Sequence, residues 1–121
     1  MTLDEYNAFC ASLPATTHVV QWGGSHVWKV GGKVFAIASM WETGPAGPPH
    51  VTFKTSEMSF DLLGEQPGCR PAPYLASRGM KWIQRTAPDS MDDAALRDYL
   101  RESHRLVAVG LSRKARAGLG L

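Results

Sequence analysis

The segment from Gln66 to Pro88 combines cations with aromatic side chains and contains no acidic residue. Lysine and arginine can neutralise phosphates, and aromatic side chains beside them can stack on bases. This composition therefore predicts contact with an anionic partner, above all the phosphate backbone of DNA. The residues concerned are the cations Arg70, Arg78, Lys81 and Arg85 and the aromatic residues Tyr74 and Trp82.

Charge is distributed unevenly along the chain, although the net charge is only +2. Residues 1–65 hold three lysines, no arginine and six acids, whereas residues 66–121 hold ten of the 13 cations and five acids. Charge asymmetry of this kind indicates either a basic face for an anionic partner or an ordinary solvated surface. We favour the basic face, and we expect further phosphate contacts from Lys54, Arg113, Lys114 and Arg116.

The aromatic residues also allow an interpretation without nucleic acid. Tyr74 and Trp82 could simply pack across a sheet, which is the commoner role of such residues. The chain has four tryptophans, and a groove between the sheet and the second helix could hold a small molecule or a protein partner. The tryptophans available to line it are Trp22, Trp28, Trp41 and Trp82.

Catalytic and metal-binding patterns are weak in this sequence. The four histidines are scattered and form no HExxH motif, and the paired glycines lie between predicted strands rather than before a helix, so they form no phosphate loop. Glu57, Asp61 and Glu65 share one predicted helix face, where solvation is the usual role, and no serine stands in a GxSxG turn. We therefore expect no enzyme activity, metal site or cofactor.

Two cysteines, Cys10 and Cys69, show neither CxxC spacing nor Cys/His ligand spacing. A free cysteine commonly packs as a small apolar side chain. We expect both thiols to be buried and free.

The first half of the chain predicts a helix and then a three-stranded meander. Thr2-Leu3-Asp4-Glu5 has the form of a capping box, and apolar residues recur at helical spacing until Pro14. Residues 17–41 are rich in Val, Ile and aromatics and are divided by Gly23-Gly24 and Gly31-Gly32. Paired glycines between such runs predict tight hairpin turns, and the third strand, apolar on both faces, is expected to be central.

The second half predicts a fourth strand, a helix, two more strands and a last helix. "HVTFK" is the fourth strand, and Thr55 or Ser56 can cap the helix after it. The prolines of "CRPAPYL" confine that segment to a sheet edge or a loop, and "MKWIQRT" follows as the last strand. Ser90 is the expected cap of a final helix that extends to about Lys114.

The length and composition fit one domain over residues 1–121, with residues 115–121 as a frayed tail. No apolar run reaches the roughly 18 residues that a membrane helix needs, and "MTLDEYNAF" carries acids where a signal peptide carries cations. We expect a cytoplasmic monomer. The element order predicts an α+β two-layer sandwich, with helices on one face of a mostly antiparallel sheet.

Several landmarks resemble the MmcQ/YjbR family of small bacterial proteins. They are "HVWKVGGKVFAIASM", "VTFKTS" leading into a helix, and "CRPAPYL" followed by "MKWIQ". The resemblance covers roughly residues 3 to 115, and none of its motifs is catalytic. It implies a fold similar to that of bacterial frataxin.

The resemblance also implies DNA binding, through a double-wing arrangement of hairpins and loops. Two departures bear on these implications. The loop "MWETGPAGPPH" holds no cation, which makes one wing electrostatically weak, whereas the wing from Pro71 to Lys81 is well supplied. The first helix has only Asp4 and Glu5 where frataxins present an acidic ridge, so iron binding is not expected.

Overall fold

A six-stranded antiparallel sheet and four helices form an α+β two-layer sandwich, described over residues 1–121 of a computed structural model. In chain order the elements are α1 (Leu3–Ser12), β1 (Thr16–Gln21), β2 (Ser25–Val30), β3 (Lys33–Ser39), β4 (His50–Lys54), α2 (Glu57–Leu63), β5 (Cys69–Pro71), β6 (Trp82–Arg85), α3 (Asp93–Val109) and α4 (Arg113–Leu119). The sheet order is β1-β2-β3-β4-β6-β5, so β3 is internal and β5 is an edge, as the sequence predicts. None of the helices is long and apolar enough to cross a membrane.

The predicted meander is confirmed, and the glycine pairs make its turns. Gly31 and Gly32 join β2 to β3 with φ of 59° and 78°, a region that side chains other than glycine rarely adopt. Gly31 also lies against the Leu111 side chain, so an added Cβ would clash there. The turn is thereby tied to the segment between α3 and α4.

Helix starts follow the capping rules, with one correction to the predicted caps. The capping box of α1 is present, since Thr2 Oγ1 accepts from the Glu5 amide at 3.1 Å and Glu5 Oε1 accepts from the Thr2 amide at 2.9 Å. Ser56 caps α2. The cap of α3 is Asp92 rather than Ser90, and its carboxylate accepts from the Ala95 amide at 2.8 Å.

The C-terminal segment differs from the prediction. The expected single helix to about Lys114 ends at Val109, where Gly110 is the C-cap, and Ser112 caps a separate helix. Residues 113–119 therefore form α4 rather than part of a frayed tail. Leu111 and Leu119 lie close to Gly31, which gives this helix an apolar anchor at the β2–β3 turn.

The core lies between the sheet and helices α1, α2 and α3. Its centre contains Tyr6, Phe35, Phe53 and Leu100, all fully buried. Ser103 of α3 donates to the Phe35 carbonyl at 2.6 Å and accepts from the Lys54 amide at 2.9 Å, which links α3 to β3 and β4. The α-helices thus cover one face of the sheet, and the opposite face carries only the short 3-10 helix Ala76–Arg78 of the β5–β6 connection.

Candidate functional site

The uncovered face of the sheet is a groove of about 1020 Å³. Residues 40–49, which connect β3 to β4, bound the groove on one side, and residues 72–81, which connect β5 to β6, bound it on the other. Side chains alternate between the faces of a strand, so Ile37, Thr52 and Gln84 form its floor. The two flanking connections turn this sheet face into a concave surface.

Three large aromatic side chains around the groove are exposed to solvent. Trp22 is 57% exposed, Trp41 73% and Tyr74 85%. Trp41 lies over Gly23, where any side chain would collide with its indole ring. Exposure on this scale is unusual for aromatic residues, and their grouping around one concavity marks a candidate binding site.

Tyr74 and Trp82, the two predicted aromatic contacts, occupy different positions. Trp82 is 5% exposed and lies in the groove floor, so its main role is packing across the sheet. Tyr74 is not packed across the sheet, contrary to the commoner role considered for it. Its side chain stands free at the groove margin.

A series of hydrogen-bonded polar side chains crosses one side of the groove. Arg70 donates from Nε to Gln84 Oε1 at 2.9 Å and from Nη2 to Glu42 Oε1 at 2.6 Å, and Gln84 Nε2 donates to Thr52 Oγ1 at 3.2 Å. The hydrogen bond from Arg70 lowers the pKa of Glu42. Arg70, one of the predicted phosphate contacts, is therefore already paired with a carboxylate.

Arg85, another predicted phosphate contact, is placed wrongly by the sequence prediction. It shares the covered face with Ile83 and is 4% exposed. Its Nε donates to the Met91 carbonyl at 3.1 Å and its Nη2 to Asp93 Oδ1 at 2.9 Å. Arg85 is a structural residue that holds the start of α3 against the sheet, because its guanidinium is bonded to groups within the protein.

Three other predicted cations gather at one end of the sheet. Lys54 ends β4 and is paired with Trp82 at the start of β6, so Lys81 comes next to it. Lys81 Nζ lies 4.8 Å from the centre of the Phe60 ring, a cation–π contact. Arg78 lies in the same β5–β6 connection, is exposed, lines the groove and makes no ion pair.

Lys33 joins this group, although sequence reasoning did not select it. It begins β3, and the pairing of β3 with β4 brings the start of β3 beside the end of β4. Its position directly after the Gly31-Gly32 turn, at a strand start, was the available indication. We call Lys33, Lys54, Arg78 and Lys81 the basic end.

The remaining predicted cations lie on α4, outside the groove lining. Arg113 and Lys114 are exposed, whereas Arg116 is partly buried and its Nε has no hydrogen-bond partner. Because α4 is anchored at Gly31, these cations flank the same end of the sheet as Lys33.

A histidine cluster lies on the covered face, where the sequence showed only scattered residues. His18 Nε2 and His26 Nδ1 are 3.0 Å apart, and the two rings stack at 5.1 Å between centroids. Burial, with a smaller contribution from His18, lowers the pKa of His26.

Trp28 stacks on His18 and donates to Asn7 Oδ1 at 2.9 Å, so it packs under α1. The expected groove beside the second helix is thus corrected to one on the opposite face, without Trp28.

Both cysteines are buried and free, as predicted. Burial raises the pKa of Cys10 to about 12 and raises that of Cys69 as well. The two thiols are therefore protonated at neutral pH. No three His, Cys, Asp or Glu side chains are grouped closely enough to hold a metal ion.

Comparisons with known proteins agree on one family. The YjbR family model matches residues 11–106. The uncharacterized protein YbdF of Escherichia coli O157:H7 is 30% identical over 90 residues, which are 73% of this chain and 68% of YbdF.

Two solved structures share the fold. The Deinococcus radiodurans protein DR2400, with a domain described as DUF419, superposes with a TM-score of 0.82 at 22% identity, covering 99% of this chain and 88% of the other. A Pseudomonas syringae protein gives a TM-score of 0.67 at 15% identity, covering 88% of this chain and 98% of the other.

Proposed function

We propose that this chain, which belongs to the YjbR family by the match over residues 11–106, is a non-enzymatic DNA-binding protein. It contacts DNA through the phosphate backbone. The basic end makes the contacts, and Arg113 and Lys114 of α4 extend it. Arg70, Arg85 and Arg116 are left out, because the first two are already paired and the guanidinium of the third is partly buried.

The single observation that carries the proposal is the gathering of unpaired cations at one end of the sheet. Lys33, Lys54, Arg78 and Lys81 come from three separate segments, and the antiparallel pairing of β3, β4 and β6 puts these segments at the same end of the sheet. None of the four takes part in an ion pair within the protein. Clustered cations of this kind raise the local concentration of a polyanion and release its counterions on binding.

The test is a fluorescence anisotropy titration of duplex DNA at several salt concentrations. With about five phosphate contacts, the logarithm of the association constant should fall with the logarithm of the salt concentration with a slope of about −4 to −5. The double reversal Lys54→Glu/Arg78→Glu should weaken binding to all duplex sequences alike.

The matched control is Arg97→Glu/Arg101→Glu, which makes the same change in net charge on α3, on the other face of the sheet. This variant should bind nearly as well as the parent chain. Equal weakening by both variants would show that only net charge matters, and an absence of binding to both duplex and single-stranded DNA at low salt would refute the proposal.

The exposed aromatic residues favour a second candidate function, the binding of a small planar anion in the groove without nucleic acid. Trp41 and Tyr74 would stack on the planar part, and Arg78 would pair with the acid group. Anilinonaphthalene sulfonate is a suitable probe, because its fluorescence rises in apolar sites. A rise that survives Trp41→Ala and Arg78→Gln unchanged would count against this candidate.

A further inference from the structure

The groove carries backbone strain at two of its exposed aromatic residues. Trp22 and Tyr74 adopt φ of 52° and 68°, a region that is sterically costly for any residue with a side chain. Neither side chain recovers this cost by burial, since both are more than half exposed. Backbone strain that persists without a packing reason is concentrated at binding sites.

The charges around the groove favour an anionic occupant. Glu42 is the only carboxylate among the lining residues, and Arg70 neutralises it at 2.6 Å. Arg78 is the only cation that lines the groove and makes no ion pair. Lys81 and Lys54 lie with Arg78 at the same end of the sheet, so positive charge adjoins one end of the aromatic surface.

We infer that the groove stacks the unpaired bases of a single-stranded nucleic acid, whose phosphates continue over the basic end. The inference rests on the proposed function and names the form of nucleic acid that this site takes. A base offers a flat face to Tyr74 or Trp41, and its strand carries the repeated negative charge that the basic end complements. In a duplex these faces are stacked inside the helix and are inaccessible to the groove.

The dimensions fit a short stretch of strand. The groove follows β3 from Val34 to Ser39, which is about 17 Å at the usual rise of a strand. In known RNA-binding domains, aromatic side chains on a four-stranded sheet stack two or three bases. The open face therefore has room for a few nucleotides rather than for one small ligand alone.

The test compares oligothymidylate with a duplex of the same length, using anisotropy on the full chain at low salt. Tyr74→Ala should weaken single-strand binding about 5- to 150-fold, the range measured for loss of one stacked base. Tyr74→Phe keeps the aromatic ring and should bind within about twofold of the parent chain. Duplex binding should be unchanged by either substitution, and circular dichroism confirms that both variants are folded.

The outcomes separate this inference from the proposed function. Duplex binding with the expected salt slope, together with single-strand binding that is insensitive to Tyr74→Ala, would overturn the inference alone. If Tyr74→Phe lost single-strand binding as Tyr74→Ala does, the inference would also be overturned, because base stacking on the ring would not be the cause of binding. Binding of neither nucleic acid by the parent chain would overturn the proposed function and the inference with it.

Discussion

The two faces of the sheet bury their aromatic residues to very different extents. On the covered face Phe35 and Phe53 are fully buried beneath the helices, together with Tyr6 of α1. On the open face Trp41 and Tyr74 are 73% and 85% exposed. Burial explains the first set through the free energy of folding. It does not explain the second set, for which we propose a partner outside the chain.

The arginines also differ between the two faces of the sheet. Arg85, on the covered face, is used to hold α3, whereas Arg78, on the open side, is used by nothing in the protein. We therefore expect stability and the proposed binding to depend on separate residue sets, so that variants can test each set without disturbing the other.

The largest expected effect is on the covered face. Leu100→Ala removes a fully buried side chain from the core and should lower the free energy of unfolding by about 2–5 kcal/mol. Urea denaturation measures the loss. Leu62→Ala, at a position 61% exposed on α2, is the matched control and should change the value by at most about 0.5 kcal/mol.

Replacing the buried arginine should have the next largest effect. Arg85→Met leaves the Met91 carbonyl without its donor and removes one partner of Asp93, so stability should fall by about 1–3 kcal/mol. Affinity for DNA should stay within about twofold, since the Arg85 side chain is almost fully buried and its guanidinium is bonded to Met91 and Asp93. If a folded Arg85→Met variant lost DNA binding to the extent expected for Lys54→Glu/Arg78→Glu, Arg85 would belong to the binding site after all.

The stability of the fold should depend on pH through His26 and His50. Burial is the main cause that lowers the pKa of His26 and of His50. The unfolded chain then binds protons first, so stability is full above about pH 6.5 and falls as the pH drops through the lowered folded values. Melting temperatures should fall between about pH 7 and pH 5. His26→Gln/His50→Gln should show a smaller fall, and an equal fall would place the cause in other groups.

The smallest effect is expected on the open face, and its sign is informative. Tyr74→Gly removes the steric cost of a positive φ and should raise the free energy of unfolding by at most about 1 kcal/mol. Thermal denaturation would detect it. A clear loss of stability would mean that the Tyr74 side chain supports the fold, and the contrast between the faces would then fail.

Local sequence rules predicted the meander and the helix starts because the deciding residues are adjacent in the chain. The paired glycines mark turns and Thr2 with Glu5 marks a cap. Gly110 and Ser112 also indicate the break between α3 and α4, and a helical spacing of apolar residues across that break concealed it.

The open groove could not be predicted in the same way. Apolar residues on both faces of β3 indicate an internal strand, but not whether helices cover both faces. The burial of Arg85 was partly readable, since alternation puts it on the face of Ile83. Its partners Met91 and Asp93 belong to a later segment, and only the tertiary structure brings them together.

The two edge strands of the sheet differ in their capacity to pair with another strand. The edge strand β5 is three residues long and ends in Pro71, which has no amide hydrogen to donate. The edge strand β1 is six residues long and contains no proline. If two copies associated through β1, only β5 strands would remain at the outer edges, so assembly would end at a symmetric dimer rather than continue into a fibre.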